Sequence, residues 1–433
     1  MEPKGIKIFV SSNSSRIRYI ARLLLEEILG LKWEIVTDRR KLGKSPVINY
    51  SDEDIKDAFR IEPDPLLYET GIKEREIVVT RWRGLPVFFL TSPKSDFPFD
   101  IFAASFYLVT RYEEYLGFEP DNHGRYRAEN SLAFMNDFLR IPVVDLWTRE
   151  FARVLIKKFP FIVVKRSENK SMITFDVDEA FEYKGNAFLK GIGNIVSNIT
   201  RHGSKGITGK DEKSEKDPYD VFDYLKETIK KSGKKTTFFF PVGDHTRFDK
   251  NPGWKNHKYR KLIADINGEF DTGIHFSYNA GSKIGLLKEE LSRFRTITGK
   301  SAKSSRLHFL RLRLPETYRN LIEAGITEDY SMGYAEEPGF RAGIARPFNF
   351  YDLVAEKETE LRIVPFQIMD ATLSEYKMLD ISSASDVVKE IIDRTEQAGG
   401  LFVSIWHNTT LIDKPERREW RALFENIVKN PDS

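Results

Sequence analysis

The chain has 433 residues, of which 40% are apolar, 13% aromatic and 31% charged, a globular composition that excludes a disordered, collagen-like or coiled-coil main body. Lys plus Arg number 68 and Asp plus Glu 65, so the formal charge of +3 gives no case for nucleic-acid binding or a polybasic membrane anchor. Cysteine is absent, which excludes disulfides, thiol nucleophiles and Cys-type zinc sites and leaves His, Asp and Glu as metal ligands.

Residues 6–10 read as a strand, and 14–31 as an amphipathic helix with Ile17, Ile20, Leu23, Leu24 and Ile28 inward. A strand at 33–37 follows, and the apolar segments 47–51, 76–80 and 86–90 extend a small α/β domain without a phosphate loop. Arg22, Glu26 and Glu27 interrupt the first apolar stretches, so 1–31 does not read as a secretory signal. No window is apolar enough for a transmembrane helix, and with no cysteine a cytoplasmic location is expected. Helical spacing at 103–116 ends near Gly117, followed by a polar loop over 121–130.

A charged stretch at 164–170 precedes the apolar strand containing Met172–Phe175 and divides the chain into domains at 1–165 and 166–433. The Gly-, Lys- and Ser-rich segment 185–217 reads as a flexible insertion. Beyond it, apolar strands alternate with helices to the end of the chain. This alternation predicts a parallel (β/α) barrel, complete or distorted, of roughly seven to eight strands.

Polar residues recur where these strands end: Asp176 and Asp178, His275, Arg306 and His308, Asp329, and His407. In a parallel barrel the strand C-termini share one face, so these groups are expected to meet in one cleft. Asp176 and Asp178 form a D-x-D whose carboxylates alternate to one side, able to serve metal and base or to cap the following helix. His275 and His308 are candidate imidazole ligands or structural histidines. His407 ends an apolar strand, where partial desolvation lowers a histidine pKa and suits proton exchange; a hydrogen-bonded core role competes. Arg306 can brace a carboxylate by a bidentate contact.

The ordered segments around Asp176, His275, Arg306, Asp329 and His407 resemble the polysaccharide deacetylase family, carbohydrate esterase family 4, over residues 171–407. They look most like a bacterial subgroup with an extra N-terminal α/β domain of unassigned function. The resemblance implies a metal-dependent hydrolase that removes acetyl groups from an N-acetylated or O-acetylated sugar. It implies Asp176 as general base and Asp178 and His275 as ligands of a divalent metal, zinc before cobalt or nickel. Arg306 would then brace Asp176, Asp329 would position His407, and His407 would be the general acid.

The family's second metal histidine lies four residues after the first, where this chain has Asn279. His308 is the candidate replacement, giving Asp178, His275 and His308 as three ligands with an open position. The family's Arg-x-Pro run is also altered around Leu307. Substrate contacts are expected from Tyr278, Tyr334 and Trp406, and from Arg341 in the loop 333–343. A catalytically inactive, glycan-binding form of the fold is the main rival; a D-x-D phosphatase or glycosyltransferase is a further one.

Overall fold

The computed structural model describes residues 5–166, 169–182 and 217–429. The predicted flexible insertion at 185–217 therefore lies outside the described residues, except for Asp217, whose buried carboxylate accepts the Glu182 amide at 2.8 Å.

The first strand, β1 (Ile6–Val10), leads into α1 (Ser15–Ala21), whose N-cap Ser14 accepts the Ile17 amide at 3.1 Å. The helix continues as a π-helical run over Arg22–Ile28. Ile17, Ile20, Leu23, Leu24 and Ile28 are all buried, as their spacing predicts. Strands β2 (Trp33–Val36), β3 (Val47–Tyr50) and β4 (Phe59–Arg60) join β1 in a parallel sheet of order β2-β1-β3-β4.

The expected strand at 76–80 is irregular until Thr80, where β5 (Thr80–Trp82) and β6 (Leu85–Val87) form an antiparallel ribbon. Helix α2 (Ile101–Val109) is buried along its whole length. The helix expected over 103–116 breaks at Arg111, which adopts a φ of 55° before a 3-10 turn at Tyr112–Tyr115. A short α3 (Leu132–Met135) precedes α4 (Val143–Lys158), which buries Val144, Trp147, Phe151 and Leu155 on one face.

The second sheet is built from β7 (Lys170–Asp176), α5 (Phe222–Ser232), β8 (Lys235–Phe240), α6 (His257–Asn267), β9 (Asp271–Phe276), α7 (Ile284–Thr298), β10 (Ser304–Leu307), α8 (Glu316–Glu323) and β11 (Glu328–Asp329). The hairpin of β12 (Phe348–Asp352) and β13 (Lys357–Ile363), then β14 (Ile368–Met369), α9 (Ile381–Ala398), β15 (Leu401–His407) and α10 (Arg418–Lys429), complete it. Its order is β12-β13-β11-β10-β9-β8-β7-β15-β14, parallel except for the β12–β13 pair. The near-continuous apolar runs of β7, β8 and β15 reflect strands buried on both faces. Beyond β13, the Val364 amide bonds Asp329 O at 2.8 Å and the Gln367 amide bonds Val403 O at 3.0 Å, linking the β11 segment to β15.

Strand register positions the polar residues. His407 pairs with Asp176 across β15 and β7, Arg306 pairs with His275 across β10 and β9, and Phe175 pairs with Phe238, their rings stacked at 4.7 Å. No helix among the described residues is long and apolar enough to cross a membrane.

Buried polar pairs join the two sheet-bearing parts. Arg16 bonds Glu356, Tyr19 donates to Asn349 O at 2.7 Å, and Asp145 accepts the Ala345 amide at 2.7 Å and the Arg346 guanidinium. Arg341 reaches Glu114 with bonds of 2.9 and 2.6 Å, while Arg111 donates to Tyr334 Oη at 2.9 Å and to the Arg341 carbonyl. The expectation that Tyr334 and Arg341 touch substrate is thus corrected: both are buried in this contact and satisfied there. At Gly339, with φ 140°, a Cβ would lie 2.5 Å from Leu139 O, so the 333–343 loop is pressed against its neighbour with no room for a side chain.

Candidate metal centre

The strand ends do meet. A cleft of about 300 Å³ is lined by Asp176, Asp178, His275, His308 and His407, with Arg125, Phe309, Leu310, Glu179, Glu375 and Tyr376 among its other walls. At its floor, ligand atoms of Asp178, His275 and His308 all lie within 4.8 Å of one another. His275 Nε2 is 3.1 Å from Asp178 Oδ1, and His308 Nε2 is 3.4 Å from Asp178 Oδ2.

Each imidazole is oriented by its other nitrogen. His275 Nδ1 is 3.2 Å from the Arg306 carbonyl, and His308 Nδ1 is 2.8 Å from Asp249 Oδ1. In both cases Nδ1–H donates outward and Nε2 faces the cleft, the arrangement that prepares histidine for a metal. Asp249 is itself fixed by the Tyr278 amide at 2.8 Å and the Thr246 hydroxyl at 2.6 Å.

These donors fit a divalent cation. Asp178 Oδ1 is buried and accepts no hydrogen bond among the described residues, an uncommon state for a carboxylate oxygen unless a cation completes it. Burial raises the Asp178 pKa, but the positive fields of His308 and His275 outweigh it and hold the carboxyl well below its ordinary range. Burial lowers the His308 pKa, yet the Asp178 and Asp249 carboxylates beside its two nitrogens push it up to about 10.

Two further groups flank the triad. Arg306, fully buried between the Phe239 and Tyr330 rings, donates Nη1 to Asp176 Oδ1 at 2.7 Å and to Thr174 Oγ1 at 2.9 Å. Asp176 Oδ2 lies 3.9 Å from His275 Nε2. His407 places Nε2 3.7 Å from Asp178 Oδ2, while its Nδ1 bonds Asp370 Oδ1 at 2.6 Å and its amide bonds Asp370 Oδ2 at 2.8 Å. Burial lowers the His407 pKa, but Asp370, then Asp178 and Asp176, raise it to about 10. This reverses the downward shift expected from desolvation alone.

Several assignments change. Asp370, not Asp329, holds His407; Asp329 is spent on the Ser305 and Ser331 hydroxyls, at 2.9 and 3.0 Å, and the Ser331 amide, at 2.9 Å. Trp406 is fully buried against Phe424, facing away from His407, and cannot stack on a sugar. Tyr278 sits beside the cleft rather than in its lining, stacked on Phe248 at 3.9 Å with its hydroxyl 3.0 Å from His123 Nδ1. Asn279 is exposed, its Oδ1 3.4 Å from Arg311 Nη1, and takes no part in the triad. Asp249, Asp370 and Arg125 were not expected in the site.

The altered stretch after Leu307 forms part of the cleft wall in an uncommon backbone state. Phe309 and Leu310 have φ of 58° and 53°, which for bulky side chains costs on the order of 1–3 kcal/mol each. Arg125 Nη1 bonds the Phe309 carbonyl at 3.0 Å and helps to hold that turn.

Comparison with known proteins gives two separate likenesses. Against solved structures, a protein from Mycobacterium smegmatis assigned as a polysaccharide deacetylase matches at 12% identity, covering 62% of this chain and 88% of that one, with a TM-score of 0.39. A family 4 carbohydrate esterase from Streptomyces lividans in complex with acetate matches at 11% identity over 61% and 88%, with a TM-score of 0.29. A CE4 family pseudoenzyme from Bacillus anthracis matches at 12% identity over 60% and 62%, also with a TM-score of 0.29. Against family models, residues 6–160 match a family of unknown function, DUF7033. No curated protein matches the chain. At these values the likenesses are distant.

Proposed function

We propose that the chain is a metal-dependent hydrolase that removes an acetyl group from an N-acetylated or O-acetylated sugar of a glycan or its precursor. The observation that carries this reading is one triad of oxygen and imidazole donors flanked by an arginine-braced carboxylate and a carboxylate-oriented histidine. Asp178, His275 and His308 would hold a divalent ion, zinc before cobalt or nickel, as the three protein ligands of an open catalytic site. Such an ion supplies Lewis acidity toward the acetyl carbonyl and lowers the pKa of water.

The chain's own residues divide the proton work. Arg306 holds Asp176 Oδ1, leaving Oδ2 toward the cleft to take a proton from the attacking water. His407 carries a proton on Nε2 at neutral pH, because Asp370 stabilises the imidazolium, and gives it to the leaving nitrogen or oxygen as the bond to the acetyl carbon breaks. Acetate and the free amine or alcohol are the products.

In this reading residues 166–433 form a distorted barrel, supported by the bonds from Val364 to Asp329 and from Gln367 to Val403 across the gap in the sheet. Residues 1–165 form a second domain, a division supported by the separate four-stranded sheet and by the family match ending at residue 160. The test is acetate release from N-acetylglucosamine oligomers and acetylated xylan by zinc-loaded protein. Asp176→Asn should retain the metal and lose release. Full release by that variant would remove Asp176 as base, and no release by metal-loaded wild type on any acetylated glycan would overturn the function.

A further inference from the structure

Beside the cleft, Arg247 lies over the Phe248 ring at 4.4 Å, Phe248 stacks on Tyr278 at 3.9 Å and 19°, and Arg311 covers Tyr278 at 4.0 Å. The result is a four-layer stack with a guanidinium at each end. Arg311 donates only to neutral oxygens, those of His123, Tyr278 and Asn279. Arg247 is exposed, and neither arginine has a carboxylate in ion-pair reach among the described residues. Unpaired arginines on aromatic faces differ from the chain's many paired ones, such as Arg341 with Glu114.

The stack is continuous with the metal cleft. The Phe309 ring contacts Tyr278, Phe248 and His123 at 5.3, 5.6 and 4.8 Å, and on its other side the His308 ring at 4.7 Å. Arg125 lines the cleft itself, its Nε bonded to Asp121 at 2.6 Å and its Nη1 to Phe309 O and Tyr376 Oη, leaving Nη2 with no acceptor among the described residues. The local field is positive. Burial, then Arg125, with Arg311 and Arg247 behind it, outweighs Asp121 and lowers the pKa of His123 in their midst.

We propose that Arg125, Arg247 and Arg311 form a positively charged, anion-binding strip running from the metal cleft along the stack, each guanidinium meeting its own anionic group, so that the glycan carries a carboxylate or phosphate near the acetylated sugar. Guanidinium groups recognise these planar or tetrahedral anions through paired donors. Glu179 and Glu375, which also line the cleft, take no part in the stack. The inference rests on the deacetylase reading only for the identity of the adjoining reaction. It also gives the 6–160 region a task, because Arg125 and His123 come from that region.

The test is calorimetric titration of the full-length, zinc-loaded protein with two pairs of probes. A tetrasaccharide alternating N-acetylglucosamine and glucuronate is set against the neutral N-acetylglucosamine tetramer, N-acetylglucosamine 6-phosphate against N-acetylglucosamine, and each pair is repeated at raised salt. At least one anionic probe should bind about tenfold more tightly than its neutral partner, and which one does distinguishes carboxylate from phosphate. Arg247→Ala, at an exposed position, should reduce that preference severalfold, and Arg247→Ala with Arg311→Gln should abolish it. Equal affinities in both pairs, no binding of any probe, or a preference unchanged in Arg247→Ala would overturn the subsite. Acetate release is read separately: an anion preference without release would support the subsite and overturn the deacetylase reading.

Discussion

In the proposed ligand set, replacing His308 by alanine removes one of three metal donors, and replacing Asn279 by alanine removes none. His308 Nε2 lies 3.4 Å from Asp178 Oδ2, its ring is 5.0 Å from that of His275, and Asp249 locks its tautomer, so the substitution removes a donor already aimed at the other two. Loss of an outer partner alone typically lowers metal affinity 10–100-fold, about 1.4–2.7 kcal/mol. Loss of the ligand should exceed that, leaving a two-donor site that exchanges zinc with a weak chelator. Competition titration against a zinc indicator, with elemental analysis of the purified proteins, measures both variants. Wild-type affinity in Asn279→Ala is the matching expectation, because its side chain is exposed and, among the described residues, its hydrogen bond is to Arg311. Zinc retained by His308→Ala, or lost from Asn279→Ala, would refute the ligand set.

Metal binding should also be proton-linked. His308, with a pKa near 10, must lose its proton to donate Nε2, so zinc affinity should weaken about tenfold for each unit the pH falls below that value, with one proton released to buffer in calorimetry. In metal-free protein the sign is opposite. The raised pKa values of His308 and His407 stabilise the fold fully below about pH 6.5, and that contribution is lost as pH rises toward 10, readable in melting temperatures across the range. Asp370→Asn should lower the His407 pKa and move the basic limb of the pH–rate profile down, whereas Asp329→Asn should leave that limb in place; a shift in the second alone would restore Asp329 as the partner. Glu114→Gln leaves buried Arg341 and Arg111 without their shared carboxylate and should destabilise the protein by about 3–5 kcal/mol in denaturant titration, with zinc affinity unchanged.

Residues whose role depends on strand ends were legible because alternation and position are written locally. Asp176 and His407 close long apolar runs, His275, Arg306 and His308 lie at or just beyond the ends of shorter strands, and parallel register brings such ends to one side. The same rule was available for two residues it missed. Asp370 directly follows Met369 in β14, but that strand is only two residues long and follows the polar Gln367, whereas the resemblance pointed to Asp329. Trp406 is adjacent to His407 in a strand and must face the opposite way, into Phe424. Asp249 lies in the irregular 241–256 segment, and Glu114 and Arg341 meet across 227 positions of sequence; neither leaves a periodic signal.

The position of His308 has a consequence beyond replacing a ligand. A histidine four residues after His275 would sit on the loop beyond β9, where Asn279 is exposed to solvent. His308 instead follows β10, the strand whose Arg306 side chain braces Asp176 and whose Arg306 carbonyl orients His275. The proposed base, both proposed imidazole ligands and the strained Phe309–Leu310 turn are thereby tied to one strand, and Arg125 of the 6–160 region is bonded to that turn. A shift of β10 by a fraction of an ångström would disturb base and ligands together, so the contacts of the first region with this wall bear on the chemistry even though they supply no metal donor. The wall at Phe309 takes part of its shape from the 121–126 segment, through Arg125 to Phe309 O and Arg311 to His123 O at 2.9 Å.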